Sequence, residues 1–563
     1  MFEDSMLDSI IRKYALQNAV KFNGKANTGA VIGKIIGENP DLKKDIDKIK
    51  SIVEKTIKEI NKIPADEQLE QLKKIAPELL EKKKVEELEL PELQDAKKGK
   101  VVTAFPPEPS GYPHIGHAKG AIINYEYAKK YDGKFVLRFE DTNPELAKNE
   151  FYDAQLDGYK WMQIKWDKLI YISDTIEQMY KKAEELIDKG AFYACDCSVE
   201  DMRRKRMLGE ECKCRDRSKD ENKKLFKAML DGKFEKGEVI IRLKSDMKHK
   251  NSVMRDPAML RVIKKAHDRV GNKYIVWPSY DFAAAFSDGS EGITHRVRSK
   301  EFELRAELQS HLQKLMGFKE TIIIEQARFN LEGVEASKRK IRERIATGEL
   351  MGWDDPRLST LATLKRRGFM PEAIKSFLLK KSITKHESTI TWGDIEAENR
   401  KFADKTAYRY FFISKPKEIL IENAPEQDVE LDLHPENKKG GRKFKTKDKF
   451  YITEDDFKSL TNNKLNRLMD CLNFIKKGDK LIFDSVEYAK FKDKGEKIIH
   501  WLPKEEKLIK VEVLMPDNTL IEGLGEPSMQ SIKEDQLVQL ERFGFARCDK
   551  KEKDKIIFWY THK

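Results

Sequence analysis

The sequence predicts a multidomain α/β protein with a helical N-terminal domain and an all-β C-terminal region. With 563 residues, the chain exceeds the size at which a single hydrophobic core stops growing, so several domains are expected. A strand, a Pro/Gly-rich loop, a helix and a second strand follow one another from Val101, which is the pattern of a βαβ unit. Beyond about Lys405 the apolar pattern changes from a helical period to strand-like runs such as KFYITEDDF and KIIFWYTHK.

The helical N-terminal domain is predicted to span residues 1–95. Apolar residues recur at a spacing of three to four from Leu7 to Ala15 and again from Ile46 to Ile60, which is the period of a helix with one buried face. The charged segment EKKKVEELELPELQDAKKGK (81–100) contains Pro91 and has the composition of a linker. The domain boundary is therefore placed inside this segment, between residues 95 and 96.

The α/β domain is predicted in two halves, 96–192 and 276–345, separated by an inserted α+β module at 193–275. Its first βαβ unit comprises the strand Val101–Phe105, the helix Ala118–Tyr131 and the strand Lys134–Phe139. Helical periodicity returns in a connecting domain at 346–404. The remaining segment, 405–563, is predicted to form an antiparallel β-barrel.

Composition excludes several classes of protein. No run of about 18 apolar residues that could span a membrane is present, and the mean hydropathy is −0.67. The N-terminus lacks the apolar core of a secretory signal, and six cysteines are too few for a disulfide-rich scaffold of this size. We therefore expect a cytoplasmic protein.

The charge balance is compatible with a polyanionic partner. Charged residues make up 37% of the chain, the net charge is +12 and the pI is about 9.0. Such a surface suits nucleic acid. Lysine and glutamate enrichment from coding bias or a hot habitat would give a similar balance, so composition alone leaves both explanations open.

The loop between the first strand and the first helix, FPPEPSGYPHIGHAKG (105–120), contains His114, Gly116 and His117. A loop at the carboxyl end of such a strand lies where α/β proteins bind ligands. Two imidazoles at the start of a helix add donors to its free N–H groups, and Gly116 leaves room for a base or ribose, so the pattern fits a nucleoside triphosphate. Taken alone, it fits a metal pair or a capped helix start equally well.

A second polar segment, ASKRK (336–340), follows the strand-like run TIIIEQARFNLEG. Ser337 offers a hydroxyl, and Lys338 offers a mobile ammonium that can follow negative charge on a transferring phosphate. Without further context, a solvated basic loop is the better explanation of this segment.

Four of the six cysteines form two pairs, Cys195-x-Cys197 and Cys212-x-Cys214, with fourteen residues between the pairs. This spacing allows two tight turns to offer four thiolates to one tetrahedral Zn²⁺. The alternative is a set of reduced, metal-free thiols, as is common in the cytosol.

Both loops, in this order on one α/β domain, resemble the two signature motifs of class I aminoacyl-tRNA synthetases. The first matches the tetrapeptide HIGH in full, and the second is similar to a degenerate KMSKS. The similarity extends to motifs of the glutamyl/glutaminyl subfamily, namely PPEPSGY, LRFEDTNP (137–144), YDFAAAFSD (280–288), EGITH (291–295), RFNLEG, WDDPRLSTLATLKRRG (353–368) and IHW (499–501). Residues 12–40 resemble the additional N-terminal domain of archaeal glutamyl members.

The resemblance implies a fold and a reaction. The α/β domain would be a Rossmann-type catalytic domain, the module at 193–275 would bind the acceptor stem, with zinc as a structural ion, and the β-barrel would bind the anticodon. The substrates would be L-glutamate, Mg²⁺–ATP and tRNA(Glu), and whether tRNA(Gln) is also accepted is left open. We expect a monomer.

The resemblance also assigns the ATP site. His114 and His117 would hold the phosphates in the transition state, and Lys338 would stabilise the leaving pyrophosphate while Ser337 shapes its loop. The residues expected to bind ATP are His114, Gly116, His117, Ser337, Lys338 and Arg339.

Three residues are assigned to the amino acid by the resemblance. Glu140 would bind the ammonium, Tyr280 would provide a hydrogen bond and an aromatic wall, and Arg298 would bind the side-chain carboxylate. Glutaminyl members of the bacterial kind carry a neutral residue at the position of Arg298, so this arginine favours glutamate. A phosphate contact or a surface charge is the alternative explanation of Arg298.

One position departs from the family pattern. The family has an arginine that contacts the amino acid where this chain has Ala104. Either the arginine has been lost, with reduced activity, or its role has moved to another residue. A glutaminyl enzyme and a weakened homologue that only binds tRNA are therefore kept as alternatives.

Overall fold

The computed structural model describes residues 4–21, 24–38, 46–79, 90–327, 329–335, 337–382 and 388–563. The chain divides into two units, Met1–Glu89 and Leu90–Lys563. Residues 80–89, which include residues 81–89 of the predicted linker, lie outside the described residues.

The first unit is helical, as predicted. Its helices are α1 (Asp4–Lys21), α2 (Thr28–Glu38), α3 (Ile46–Ile60) and α4 (Ala65–Ile75). Ile49, Val53 and Ile60 on α3 are fully buried, because their spacing places them on one face of the helix. The buried Gln68 on α4 donates hydrogen bonds to the carbonyls of Gly24, Ile60 and Ile63, which satisfies backbone groups at the helix connections.

The second unit begins at Leu90, six residues before the predicted boundary. Leu90 and Leu93 are buried against apolar residues of the α/β domain, among them Ile123 and Tyr127. The Tyr131 hydroxyl accepts a hydrogen bond from the backbone N–H of Leu93 at 2.8 Å. Residues 90–95 therefore pack as part of the second unit.

The α/β domain is built on a five-stranded parallel sheet. Its elements are β1 (Val102–Phe105), α5 (Ile115–Lys130), β2 (Lys134–Phe139), α6 (Asn149–Trp161), β3 (Lys168–Tyr171) and α7 (Ile176–Asp188), and then, after the inserted module, α10 (Tyr280–Ser290), β8 (His295–Ser299), α11 (Glu303–Met316) and β9 (Ile322–Gln326). The strand order is β3-β2-β1-β8-β9, with every neighbouring pair parallel. The predicted α/β fold of this domain is confirmed.

This strand order locates the ligand site. The chain moves outward from β1 through β2 to β3 and then returns to the other side of β1 with β8. Crossovers therefore leave β1 and β8 in opposite directions, and a crevice opens at their carboxyl ends. The loop that follows β1 and the last residues of β8 both border this crevice.

The inserted module contains a four-stranded antiparallel sheet in the order β4-β5-β6-β7. Its elements are β4 (Phe192–Cys195), α8 (Val199–Leu208), α9 (Lys219–Leu230), β5 (Ile240–Leu243), β6 (Ala258–Val262) and β7 (Val276–Pro278). Phe192, Ile241 and Leu260 from this sheet share a core with residues of α7, α10 and α11. The module is thus packed onto the α/β domain.

A helical segment follows the second half of the α/β domain. It contains β10 (Phe329–Leu331), α12 (Lys338–Ala346), α13 (Leu361–Arg366), α14 (Pro371–Ser382), β11 (Ser388–Ile390) and α15 (Trp392–Ala403). Arg366 on α13 forms a bidentate ion pair with Asp549, and the adjacent Arg367 donates a hydrogen bond to the carbonyl of Thr561 at 2.8 Å. These contacts attach the segment to the end of the C-terminal region.

The C-terminal region is rich in strands, as predicted, and contains two short α-helices and one 3-10 helix. The prediction that its strands are all antiparallel is wrong, because four strand pairs, β12 with β25, β14 with β20, β18 with β21 and β23 with β27, are parallel. Two seven-stranded sheets, β12-β25-β26-β27-β23-β24-β13 and β21-β18-β19-β20-β14-β17-β22, are accompanied by the hairpin β15-β16. The elements are β12 (Tyr408–Tyr410), β13 (Phe412–Ser414), β14 (Pro416–Glu422), β15 (Gln427–His434), β16 (Lys438–Thr446), β17 (Lys449–Thr453), α16 (Glu454–Lys458), β18 (Leu465–Leu468), β19 (Asn473–Lys477), β20 (Lys480–Ser485), α17 (Tyr488–Lys492), β21 (Gly495–Ile499), β22 (Leu502–Pro503), β23 (Ile509–Leu514), β24 (Leu520–Gly525), β25 (Leu537–Leu540), β26 (Gly544–Lys551) and β27 (Lys555–His562).

Within the described ranges, none of the helices combines the length and the apolar character needed to cross a membrane.

Candidate active site

A cleft of about 990 Å³ opens at the carboxyl ends of β1 and β8. Eight of the nine predicted non-cysteine site residues line it, namely His114, Gly116, His117, Glu140, Tyr280, Arg298, Ser337 and Lys338. We call the part formed by His114, Gly116, His117, Ser337 and Lys338 the loop end. The part formed by Glu140, Tyr280, Arg296 and Arg298 is called the sheet end.

The loop end is built on the start of α5. His114 is the N-cap residue, and its Nδ1 accepts a hydrogen bond from the backbone N–H of Gly116 at 3.0 Å. His117 Nδ1 accepts from the backbone N–H of His114 at 3.3 Å. The two ring centroids lie 4.0 Å apart, so the imidazoles form a compact pair at the positive end of the helix.

His117 is held as a neutral imidazole. Burial lowers its pKa well below the ordinary value, and the nearby His114 and Lys338 lower it further. Because Nδ1 faces the N–H of His114, the proton of the neutral ring belongs on Nε2. The ring can therefore donate one hydrogen bond to an anionic ligand without bringing a buried positive charge.

Lys338 reaches the same end of the cleft from α12. Ser337 caps this helix, and its side chain accepts from the N–H of Lys340. The Nζ atom of Lys338 donates to Ser110 Oγ at 3.0 Å, and it lies 3.4 Å from the carbonyl oxygen of Glu108. Burial lowers the pKa of Lys338, while Glu108 acts in the opposite direction.

Aromatic packing holds the loop after β1 against the segment that follows α12. The rings of Tyr112 and Trp353 are stacked, with an interplanar angle of 1° and centroids 5.5 Å apart. A Cβ atom at Gly111 would lie 2.9 Å from the Trp353 ring and 3.1 Å from Cδ of Lys338. The absence of a side chain at Gly111 thus allows Lys338 to approach the loop after β1.

Arg339 is the one predicted site residue outside the cysteine cluster that does not line the cleft. Its side chain is 80% exposed, and its Nε lies 3.5 Å from Glu343 Oε1 on the next turn of α12. Consecutive helix residues point about 100° apart, so Arg339 faces away when Lys338 faces the cleft.

At the sheet end, Glu140 is buried at the end of β2. Its Oε1 accepts from Arg138 Nη2 at 3.0 Å, whereas Oε2 has no hydrogen-bond partner among the residues that the structure describes. Burial raises the pKa of Glu140 to about 7 even though Arg138 and Arg296 oppose the shift. The carboxyl group is therefore poised to bind a cationic group.

Tyr280 and Arg298 form the opposite wall. Tyr280 begins α10, and its ring lies 5.6 Å from that of Phe302. Arg298 is 8% exposed, which excludes the surface-charge explanation. Its Nη1 donates to Gln309 Oε1 at 2.9 Å and its Nη2 to the carbonyl of Phe302 at 3.0 Å, so the guanidinium plane is fixed.

The structure adds three charged residues that the sequence analysis did not identify: Arg138, Asp288 and Arg296. Asp288 Oδ1 accepts from Arg138 Nη1 at 2.7 Å, and Asp288 Oδ2 lies 2.8 Å from Arg296 Nη1. All three side chains are at most 2% exposed. This buried charge network contacts Glu140 through Arg138 and is linked to Arg298 through Gln309, which accepts from both Arg296 and Arg298.

Ala104 lies next to this network. It is fully buried on β1 against Val136, Ile170 and Ile293. His295 of β8 pairs with Thr103, so Arg296 follows on the neighbouring strand at the level of Ala104. The two side chains lie on the same face of the sheet, because side chains alternate in step along paired strands.

The four paired cysteines lie close together in the inserted module. The Sγ atoms of Cys195, Cys197, Cys212 and Cys214 all lie within 4.8 Å of one another. Arg242 Nη1 lies 3.6 Å from Cys195 Sγ and 3.8 Å from Cys212 Sγ, so a buried cation faces the cluster. The other two cysteines, Cys471 and Cys548, are buried in the β region.

Comparison with protein families matches three parts of the chain. Residues 100–404 match the family of class I tRNA synthetases (E and Q), catalytic domain. Residues 407–492 and 498–549 match the two anticodon-binding domain families of the same class I (E and Q) group.

Full-length relatives give the same result. A glutamate–tRNA ligase of Pyrococcus furiosus is 40% identical over 99% of this chain and 100% of its own length. Glutamate–tRNA ligases of Pyrococcus horikoshii, 41% identical over 99% of this chain and 100% of theirs, and of Nitrosopumilus maritimus, 39% identical over 100% of both, are similar to the same extent. The chain therefore belongs to the class I tRNA synthetases of the glutamate and glutamine (E and Q) group.

Proposed function

We propose that this protein is a glutamate–tRNA ligase, which activates L-glutamate with Mg²⁺–ATP and transfers it to the 3′-terminal adenosine of tRNA(Glu). The observation that carries the proposal is the composition of one cleft, with phosphate-type donors at the loop end and ammonium- and carboxylate-binding groups at the sheet end. The full-length similarity to glutamate–tRNA ligases supports it.

In the first step, the α-carboxylate of glutamate attacks the α-phosphorus of ATP. The bond to the bridging oxygen of the β-phosphate breaks, giving glutamyl adenylate and pyrophosphate. The N–H groups at the start of α5, Nε2 of His117 and the ammonium of Lys338 are placed to stabilise charge on the phosphates. No covalent bond to the enzyme is needed.

In the second step, the 2′-hydroxyl of the terminal adenosine attacks the carbonyl carbon of the adenylate. An ester forms, and AMP leaves with the electron pair of the carbonyl–oxygen bond. The 2′ position is the one that the family resemblance implies. Catalysis in both steps consists of positioning and charge stabilisation.

The amino acid is held by complementary charges. The ionised Glu140 pairs with the ammonium, Arg298 binds the side-chain carboxylate, and Tyr280 forms the wall between them. This orientation directs the α-carboxylate toward the loop end, where the phosphates bind.

Aminoacylation of purified tRNA(Glu) and tRNA(Gln) with each of glutamate and glutamine tests the proposal. Glutamate on tRNA(Glu) is the expected product, and glutamate on tRNA(Gln) would show that both tRNAs are accepted. Charging with glutamine alone would identify a glutaminyl enzyme. Binding of tRNA without any charging would identify the weakened homologue that Ala104 suggested.

The KM for glutamate should rise about tenfold as the pH falls from 8 to 6. Burial raises the pKa of Glu140 to about 7, and only its ionised form pairs with an ammonium, so the ionised fraction falls from about nine-tenths at pH 8 to about one-tenth at pH 6. The charged or titratable groups around Glu140 are Arg138, Arg296, Asp288 and Tyr280, and burial raises the pKa of Tyr280 above this range.

Steady-state aminoacylation at saturating ATP and tRNA measures this dependence. In Glu140→Gln, the KM should be high and independent of pH over the same range, because the amide does not titrate. A constant KM for the parent protein between pH 6 and pH 8 would remove Glu140 from ammonium binding.

The cysteine cluster fits a structural zinc ion. Four thiolates around Zn²⁺ at about 2.3 Å would place their sulfurs about 3.8 Å apart, and Cys197 Sγ lies 3.6 Å from Cys214 Sγ. The donor set, all sulfur, is the one that structural zinc sites use. Zinc there would fix the two cysteine-bearing turns of the inserted module.

We expect one zinc per chain in protein purified from zinc-replete cells. Elemental analysis measures it, and the Cys212→Ser/Cys214→Ser double variant should lose the metal. The matched control is Cys471→Ser/Cys548→Ser, which removes two buried thiols remote from the cluster and should keep it. Zinc retained by the first variant, or missing from the parent, would show that these thiols do not form the site.

A further inference from the structure

Buried polar atoms without partners converge on the sheet end of the cleft. Within the described residues, no hydrogen-bond partner is found for Glu140 Oε2, Arg296 Nε, Arg298 Nε, Ser299 Oγ or Gln326 Oε1, and all five residues line the cleft. Each such atom is costly to leave unpaired in a protein interior. Their convergence on one cavity indicates that a polar ligand satisfies several of them.

Arg296 is the most deeply buried member of this set, at 1% exposure. Its Nη2 donates to Gln309 Oε1 at 2.7 Å, the same oxygen that accepts from Arg298 Nη1. The amide of Gln309 is in turn oriented by Asp281, whose Oδ1 accepts from Nε2 at 3.1 Å. The Gln309 oxygen thus holds the guanidinium groups of Arg296 and Arg298 side by side. The Nε atom of each arginine remains available to a ligand.

The positive charges of the sheet end are not all paired without a ligand. Arg138 and Arg296 form ion pairs with Glu140 and Asp288, whereas Arg298 donates to the neutral Gln309 and to the carbonyl of Phe302 and, within the described residues, its positive charge has no carboxylate in ion-pair contact. An amino acid with two carboxylates and one ammonium carries one negative charge and would neutralise it. An amino acid with an amide side chain is neutral and would not.

We propose that Arg296 is a second specificity-determining residue, which holds the side-chain carboxylate of the amino acid together with Arg298. The inference rests on the proposed function. The two arginines are carried by β8, whereas the phosphate-type donors lie at the start of α5 and on α12. The α-carboxylate must reach the α-phosphorus and keep a lone pair for attack. The side-chain carboxylate is therefore the group that a pair of guanidinium groups at the sheet end binds.

This assignment also accounts for Ala104. Arg296 lies at the same level on the neighbouring strand and on the same face of the sheet, so a guanidinium is present there although β1 supplies none. Arg296 on β8 then supplies the amino-acid contact that the family arginine makes from the position of Ala104.

Arg296→Gln tests the proposal by the Michaelis constants for glutamate and glutamine in aminoacylation with tRNA. The KM for glutamate should rise on the order of 10- to 100-fold, the loss expected for a hydrogen bond between charged groups. The kcat for glutamate should change less than about threefold, and the KM for glutamine should stay the same or fall. Asp288 keeps Arg138 as its partner at 2.7 Å, so the variant leaves no buried carboxylate unpaired.

Arg269→Gln is the matched control. Arg269 donates to Ser173 and Asp174 and lies 3.6 Å above the ring of Tyr171, but it does not line the cleft. Both Michaelis constants should stay at the parent values. If Arg296→Gln is insoluble, Arg296→Lys replaces it, because lysine keeps the charge but lacks the planar fork. A rise confined to glutamate in that variant supports the proposal.

An unchanged KM for glutamate, or equal changes for glutamate and glutamine, would overturn the role of Arg296 and leave it as a structural partner of Asp288. Failure of the proposed function gives a different result, because the parent protein itself would then not charge tRNA with glutamate.

Discussion

Replacing Lys338 with alanine should lower kcat for aminoacylation on the order of 10²- to 10³-fold. The ammonium is placed at the loop end by Ser110 and by the carbonyl of Glu108, and Gly111 allows the side chain to approach. Charge grows on the leaving pyrophosphate during adenylate formation, so an interaction with Lys338 is strongest in the transition state. The KM values for ATP and glutamate should therefore change far less than kcat.

The two histidines belong to the same prediction but require different substitutions. His117→Ala removes a neutral donor and should give a loss of similar order. His114 also caps α5, so alanine there would combine a catalytic loss with helix destabilisation. His114→Asn keeps an N-cap acceptor and isolates the contribution of the imidazole.

Lys340→Ala is the matched control for Lys338. Lys340 lies two residues further along α12, is 61% exposed and pairs with Glu335 at 3.4 Å. Its removal takes one positive charge from the same helix and should change kcat less than about twofold. A parent-like kcat in both Lys338→Ala and His117→Ala would move the phosphate site away from the loop end.

The loop end was predictable from the sequence because its chemistry is local. His114, Gly116 and His117 lie within four residues at a strand–helix junction, so the sequence alone places them together at a helix start. The pattern alone did not distinguish a phosphate site from a metal pair or a capped helix start. The placement of Lys338 in the same cleft came from the family resemblance, since residues 336–340 alone read as a solvated loop. The structure places both in one cleft, and their roles stay predictions.

Arg339 shows that a sequence motif alone does not tell which of its residues face the site. The segment ASKRK supplies three consecutive cations, Lys338, Arg339 and Lys340, and of these Lys338 alone lines the cleft once α12 begins. Helical geometry alone predicts this outcome. Adjacent residues of a motif should therefore not be assigned to one site across a helix start.

The charge network under the sheet end could not be found from the sequence. Arg138 lies 150 residues before Asp288 in the sequence, whereas Arg296 follows Asp288 closely. The three residues meet because β2, α10 and β8 pack together. The position of Leu90 and Leu93 in the second unit has the same cause, since their burial depends on α5. Both features are set by tertiary packing rather than by local pattern.

The ratio of kcat/KM for glutamate to that for glutamine should fall on the order of 10²-fold or more in Arg298→Cys. Arg298 is 8% exposed, and Gln309 and the carbonyl of Phe302 fix its guanidinium plane. Opposite a carboxylate the fork forms an ion pair, whereas opposite an amide the buried charge keeps its desolvation cost without an ionic partner. Removing it should raise the KM for glutamate strongly and leave that for glutamine little changed.

Lys300→Ala is the control for this substitution, because Lys300 lies two residues away, is exposed and does not line the cleft. It removes a positive charge from the same segment and should leave the ratio at the parent value. If Arg296 shares the carboxylate, the Arg298→Cys/Arg296→Gln double variant should lose less than the product of the two single losses, since both act on one group. An Arg298→Cys protein with the parent ratio would place the discrimination between glutamate and glutamine outside the sheet end, and the glutaminyl alternative would then have to be tested first.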